Sequence, residues 1–198
     1  MGNRPTLILA SSSPYRRELL KRLRLPFDVR SSEVDETPQP LEAPAALAQR
    51  LALKKAQAVS ARFPEAIVIG SDQVVDLDGR PLGKPGTHVN AIAQLRELRG
   101  RSVVFETAVA VVRKSSGYRG TAMASVTVRF RQLTDAEIEH YLLAEQPYDC
   151  AGSAKSETLG IALLEQIESD DPTALIGLPL IRTCALLRAA GIDPLRSV

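Results

Sequence analysis

Aromatic residues are scarce in this sequence, 4% with no tryptophan, and its charges nearly cancel: 25 Lys plus Arg against 23 Asp plus Glu leave +2. A nucleic-acid-binding module needs a basic stripe interleaved with aromatics, so both shortages count against one. They leave bulk attraction to a membrane surface equally unsupported. Any affinity for an anion must come from local placement of cations. Cysteine occurs only at Cys150 and Cys184, far apart and at no metal-ligand spacing. Two isolated thiols fit a reducing cytoplasm better than a disulfide scaffold. The only histidines, His88 and His140, each fall in an expected helix, which argues against a histidine-rich zinc centre. The longest N-terminal apolar run, Thr6 to Ala10, is too short for a signal h-region or a membrane span. Met1 to Thr6 fits the loose myristoylation pattern, but a strand is expected to begin at once. The expectation is a soluble cytoplasmic protein.

What is present is an ordinary globular composition. With 198 residues, 44% of them hydrophobic, the chain is expected to form one domain over 1–198 with a buried core. Leu7 to Ala10 reads as a buried strand, and Ser13 as the cap of a helix that starts at Pro14 and runs to about Leu23. Phe27 to Ser31 reads as a short strand, and Thr37 to Pro44 as a surface connection. Ala48, Ala52, Ala56 and Val59 recur at helical spacing, which predicts a helix over Ala45 to Arg62. Ala66 to Gly70 reads as a second buried strand with Asp72 and Gln73 just beyond it, and Asp78-Gly79 as a hairpin turn. A helix over Thr87 to Arg99 stops at Gly100. Two long strands follow, Ser102 to Arg113 and Tyr118 to Arg131. In the second, Val126, Val128 and Phe130 alternate with polar neighbours, the pattern of an antiparallel strand with one wet face. Thr134-Asp-Ala-Glu137 is a capping box for a helix that Pro147 ends. Ile161 to Ile167 reads as a strand and Leu180 to Ala190 as the last helix. The fold class is α/β around a mixed, partly antiparallel sheet; strands and helices do not alternate regularly enough for a doubly wound fold.

Five segments carry candidate chemistry. Ser11-Ser12-Ser13-Pro14-Tyr15-Arg16-Arg17 joins a strand to a helix start, where free N–H groups, hydroxyls and a guanidinium suit phosphate oxygens. Read alone, it is equally an N-cap followed by a solvated basic face. Glu33, Asp35 and Glu36 cluster after a strand and suit a hard divalent cation, or are simply an acidic loop. Asp72, near the end of an apolar strand, is placed to bind metal or take a proton from water, or to cap a turn. Lys84 sits between Gly83 and Pro85, in a surface turn by default; the P-loop spacing is missing. Ala151 to Gly160 is a polar, glycine-bounded segment that reads as a loop or as one wall of a pocket.

Taken together, Leu9 to Arg17, Ser32 to Glu36, Ala52 to Ala56, Gly70-Ser71-Asp72-Gln73, Gly83-Lys84-Pro85 and Gly177-Leu178-Pro179 resemble the Maf family in order and spacing, from about Leu7 to Leu187. The resemblance implies a two-lobed fold related to inosine triphosphate pyrophosphatases, a homodimer, and a Mg²⁺ or Mn²⁺ requirement. It also implies an enzyme that cuts a nucleoside triphosphate between its α- and β-phosphates. By the same resemblance Asp72 matches the family's proton acceptor, and Ser11, Arg16, Lys55 and Lys84 match its phosphate-handling residues. Ser13 joins that loop set, and Glu33 matches a metal-associated carboxylate, with Asp72 as the second metal candidate. Maf-type proteins are also linked to septum arrest, so a non-catalytic nucleotide-binding regulator of cell division is a rival from another class.

Three positions depart from the commonest pattern of that family, which acts on dTTP and UTP: Tyr15, Gln73 and Glu157. The trio looks like the branch that hydrolyses 7-methyl-GTP. A carboxylate at Glu157 accepts hydrogen bonds from guanine's N1–H and N2–H₂ edge, whereas a uracil or thymine edge suits an amide better. Methylation at N7 makes the purine cationic, and an aromatic face such as Tyr15 attracts such a ring. One cation–π contact contributes about 1 kcal/mol, while an unmatched buried polar pair costs about 1–3 kcal/mol. Glu157 is therefore expected to set specificity more than Tyr15, with a dTTP/UTP pyrophosphatase as the alternative.

Overall fold

The computed structural model describes residues 5–196; Met1–Arg4, the start of the acylation pattern, lie outside the described residues. Element order is β1 (Leu7–Leu9), α1 (Pro14–Lys21), β2 (Asp28–Val29), α2 (Pro44–Arg62), β3 (Ile67–Leu77), β4 (Arg80–Leu82), α3 (His88–Leu98), β5 (Ser102–Arg113), β6 (Tyr118–Phe130), α4 (Asp135–Glu145), β7 (Leu164–Glu168) and α5 (Leu180–Ala189). Among the described residues the strands form one mixed sheet in the order β2-β1-β3-β5-β6-β7, with β4 paired to β3. β1 is parallel to both β2 and β3, and all other pairings are antiparallel.

Local chemistry explains most boundaries. Ser13 accepts from the Arg16 N–H and Pro14 opens α1, while Thr134 and Glu137 complete a reciprocal capping box at α4. Asp78 and Gly79, with φ of 54° and 83°, turn β3 into β4 in a two-residue hairpin that pairs Leu77 with Arg80. Three strand assignments differ from expectation. β3 continues seven residues past Gly70, because Ser71, Asp72 and Gln73 go on pairing with Val109, Ala108 and Thr107 of β5. Asp72 therefore sits inside a strand, not after one. Ile161 to Leu163 belong to a 3₁₀ turn, and the strand starts at Leu164 as an exposed edge. β2 is shorter than the 27–31 stretch, only Asp28–Val29.

Alternation along the strands divides the apolar residues into three cores. Ile8, Val68, Ala108 and Ala110 face α2; Leu9, Ile67, Ile69 and Val109 face α1 and α5 on the opposite side. Farther along that second side, Val75, Leu77, Phe105 and Phe130 pack against α3 and α4. The long strands thus run from one helix-covered lobe into another, and Ser71 and Gln73 fall between the two cores.

α2 lies close on β3. Ala48, Ala52 and Ala56 are fully or almost fully buried there. A Cβ placed on Gly70 would lie 2.2 Å from the Ala52 carbonyl oxygen and 2.7 Å from the Ala56 nitrogen. Both are backbone atoms and have nowhere to move. Gly70→Ala is expected to lower stability by about 3 kcal/mol, read by urea denaturation, with a cost below about 1 kcal/mol counting against this packing.

Candidate active site

β3 pairs with β1 only as far as Ile69 and with β4 only from Val75, on the same edge. Gly70 to Val74 between them form an open stretch of strand edge. A cleft of about 480 Å³ lies at this gap, just beyond the carboxyl end of parallel strand β1, where open α/β sheets place their ligands. Ser12, Ser13, Tyr15 and Arg16 line it from the loop and helix after β1, Gly83 and Lys84 from the loop after β4, Asp72 and Gln73 from the gap itself, and Glu157 from the far wall. A smaller cleft of about 140 Å³ adjoins it and is lined by Ser11, Ser32, Glu33 and Glu36 along with the shared Arg16, Lys55 and Lys84.

The loop after β1 is held from within. Ser11 Oγ accepts from the Ser13 N–H at 3.1 Å, and Arg16 Nη1 donates to the same oxygen at 3.5 Å. Arg16 Nε donates to the Gly177 carbonyl at 2.8 Å, which also receives the Ser71 hydroxyl at 2.9 Å. One carbonyl therefore ties together α1, β3 and the segment leading to α5. Burial pushes the Arg16 guanidinium down from its ordinary value, and the Asp72 and Glu36 carboxylates act against that. A guanidinium starts so high that it stays charged.

Lys55 is the centre of the charged end. From α2 its Nζ donates to Asp72 Oδ1 at 2.6 Å and stands 2.8 Å from Glu36 Oε1. Lys55 is 5% and Asp72 6% exposed, so the contact lies in the interior wall of the cleft. Glu36 reaches it because three cations of α2 hold the preceding loop by its backbone. Arg62 donates to the Ser31 carbonyl at 2.6 Å, Lys54 to Asp35 at 2.9 Å and Arg50 to Thr37 at 3.1 Å. Arg50 also forks onto Glu42 at 2.6 and 2.7 Å and holds that carboxyl down at about 2.

Different groups occupy the other end. The Tyr15 hydroxyl donates to Asp149 Oδ1 at 3.3 Å, and burial holds the phenol above its ordinary range, so it is a neutral donor. Burial likewise pushes the Cys150 thiol up to about 12, so this cysteine is a neutral thiol and not a nucleophile. Lys155 Nζ stands 5.6 Å from the Tyr15 ring centroid and pairs with Glu145 at 3.4 Å. Gln73 Nε2 lies 2.9 Å from both Thr107 Oγ1 and the Ala174 carbonyl and 3.0 Å from the Leu175 carbonyl. Two carbonyls require a donor, which identifies the nitrogen end of that amide.

The family model for Maf-like proteins matches residues 6–190. The chain belongs to the Maf family. A 7-methyl-GTP pyrophosphatase from Polaromonas sp. is 68% identical over 94% of this chain and 85% of its own length. Those of Albidiferax ferrireducens and Bordetella pertussis are 62% and 60% identical, each over 96% of this chain and 95% of their own. Among solved structures, the Ham1 protein of Staphylococcus aureus aligns over 64% of this chain and 72% of its own, at 16% identity and a TM-score of 0.48.

In this Maf chain the cleft gathers Ser13, Tyr15, Arg16, Lys55, Asp72, Gln73, Lys84 and Glu157, while Ser11 and Glu33 line the adjoining one. Glu33, at a left-handed φ of 44°, is exposed. Glu36 was visible in the sequence only as one of three clustered acids, and the Maf resemblance pointed to Glu33; the structure adds Glu36, which borders both clefts. Asp149 had no motif to mark it, and Gly177 was marked only as part of the Gly177-Leu178-Pro179 block, with no role for its carbonyl. The ion pair between α2 and β3 is expected to dominate local stability. Lys55→Met leaves Asp72 buried without its cation and should cost about 3 kcal/mol in urea denaturation. In the double variant with Asp72→Asn the combined loss should fall short of the sum by at least about 1 kcal/mol. Simple additivity would remove the pair from the account.

Proposed function

We propose that this Maf protein is a cytoplasmic homodimeric hydrolase that cleaves 7-methyl-GTP between its α- and β-phosphates, releasing 7-methyl-GMP and pyrophosphate. The observation that carries the proposal is the polarity of one cleft. Arg16, Lys55 and Lys84 line both this cleft and the adjoining one, with Lys55 on Asp72, whereas Tyr15 and Glu157 line this cleft alone. A triphosphate laid along it meets cations and an α-helix N-terminus, and its base meets an aromatic face and a carboxylate. The names of relatives up to 68% identical support the same substrate.

Hydrolysis requires a water placed opposite the departing pyrophosphate. Asp72, anchored by Lys55 through one oxygen, takes a proton from that water as its oxygen bonds the α-phosphorus. The bond from that phosphorus to the α–β bridging oxygen breaks, and pyrophosphate leaves with the electron pair. Arg16, Lys55 and Lys84 offset the charge that builds on the phosphate oxygens. Because Asp72 lies mid-strand, paired opposite Ala108, its position is set by the sheet.

Asp72 and Glu36 both bond the Lys55 ammonium, so two hard oxygen donors face one cationic point in the cleft wall. Among the described residues no three His, Cys, Asp or Glu gather into a metal cage. That donor set fits Mg²⁺ or Mn²⁺, which Asp72 with Glu36 or Glu33 would hold. Such an ion would supply charge neutralisation and polarisation of the phosphoryl group.

At the base end, Glu157 accepts from the N1–H and N2–H₂ edge of guanine, and Tyr15 offers a face to the cationic ring. Gln73 acts on the base indirectly, by fixing the Ala174–Leu175 wall. Among the described residues no helix is long and apolar enough to cross a membrane.

Pyrophosphate release from 7-methyl-GTP, GTP, dTTP and UTP, with and without Mg²⁺ or Mn²⁺, tests the assignment. 7-Methyl-GTP should have the highest kcat/KM, and metal omission should abolish turnover. If dTTP were best by about tenfold, the base-end reading would fail. Asp72→Asn should lower kcat by about 10²–10⁴-fold, and an unaltered rate would exclude Asp72 as the base. Glu157→Gln should reduce kcat/KM for 7-methyl-GTP at least about tenfold and narrow its lead over dTTP; an undiminished lead rules out recognition through that carboxylate.

A further inference from the structure

Glu157 alone does not explain discrimination between 7-methyl-GTP and GTP. The two nucleotides share the N1–H and N2–H₂ edge and differ by one methyl group and one positive charge on the base. Selection between them falls to groups that sense charge. Given the reading above, of which this is an extension, the candidates are those at the base end of the cleft.

The carboxylate of Asp149 lines that end beside Tyr15, Cys150 and Glu157. Its Oδ1 accepts from the Tyr15 hydroxyl at 3.3 Å and from the Cys150 thiol at 3.5 Å. Both donors are neutral, since burial raises the phenol and the thiol alike, so neither cancels the charge of Asp149. Lys155, the neighbouring cation, is answered by Glu145 at 3.4 Å, with both side chains mostly buried. Among the described residues neither Asp149 nor Glu157 forms an ion pair, so two carboxylates without a salt bridge line this end of the cleft. A phenol that donates to an anionic oxygen also carries more electron density on its ring, which strengthens the attraction of its face for a cation. Lys155 Nζ, 5.6 Å from the centroid, shows that this face receives a cation.

We propose that Asp149 is a specificity-determining residue that selects a positively charged base, both through its own charge and by anchoring and polarising Tyr15. Asp149→Asn keeps an oxygen to accept from Tyr15 and removes the charge; the residue is exposed, so the fold tolerates the change.

The measurement is the ratio of kcat/KM for 7-methyl-GTP to that for GTP. In Asp149→Asn this ratio should fall about tenfold, carried by KM for 7-methyl-GTP, and raising the salt concentration should shrink the difference from wild type. Asp149→Glu, which restores the charge, should recover most of the ratio. A ratio within about twofold of wild type overturns the proposal. So does an equal fall with both nucleotides, which would make Asp149 only a strut for Tyr15. If the wild-type chain itself shows no preference for 7-methyl-GTP over GTP, the substrate reading fails and this inference with it; a wild-type preference that survives Asp149→Asn removes Asp149 alone.

Discussion

Everything at the charged end of the cleft depends on how closely α2 lies on β3. The absent Cβ of Gly70 and the small faces of Ala52 and Ala56 bring the helix backbone against the strand. That closeness brings Lys55 within 2.6 Å of Asp72. A buried ammonium and a buried carboxylate are each unfavourable alone and tolerable together, so the contact couples helix position to the ionisation of the site. The same helix then sends Arg50, Lys54 and Arg62 to the 31–42 loop, and with it Glu36 to the other side of Lys55. One packing decision, made with alanines and a glycine, thereby places Asp72, Lys55 and Glu36 in contact.

Much of this architecture was legible because its signals are local. The caps at Ser13 and Thr134, the Asp78-Gly79 turn and the alternation in β6 each involve neighbours in sequence, and each has the geometry its residues dictate. Gly70 misled for a physical reason. A glycine after an apolar run reads as a stop, but here its lack of a side chain serves a helix crossing above it, and the strand continues through cross-strand partners from Val109 back to Val104, far away in sequence. Ile161 to Leu163 misled for another reason: they close a 3₁₀ turn that buries Leu163 in the core, and pairing with β6 begins only at Leu164.

In the site, the residues read from motifs on rigid elements sit together, as Arg16 on α1, Lys55 on α2 and Asp72 on β3 do. Loop residues were harder. Which of Glu33, Asp35 and Glu36 turns inward is set by bonds from α2, and nothing within the loop's own sequence marks it. Asp149 follows Pro147 and Tyr148 in a stretch with no periodicity, and its relation to Tyr15 spans 134 positions. Both ends of the cleft draw on framework and connections: Arg16, Lys55 and Asp72 with the loop residues Lys84 and Glu36 at one, Tyr15 and Gln73 with the loop residues Asp149 and Glu157 at the other.

The bare edge of β3 from Gly70 to Val74 has a further consequence. An unpaired strand edge is ordinarily a place where a foreign chain adds itself, and an apolar one invites amyloid-like stacking. Here any intruding strand would have to strip water from Arg16, Lys84 and Glu36 to reach it. The charges lining this cleft thus guard the sheet against unwanted extension, whatever ligand they also meet.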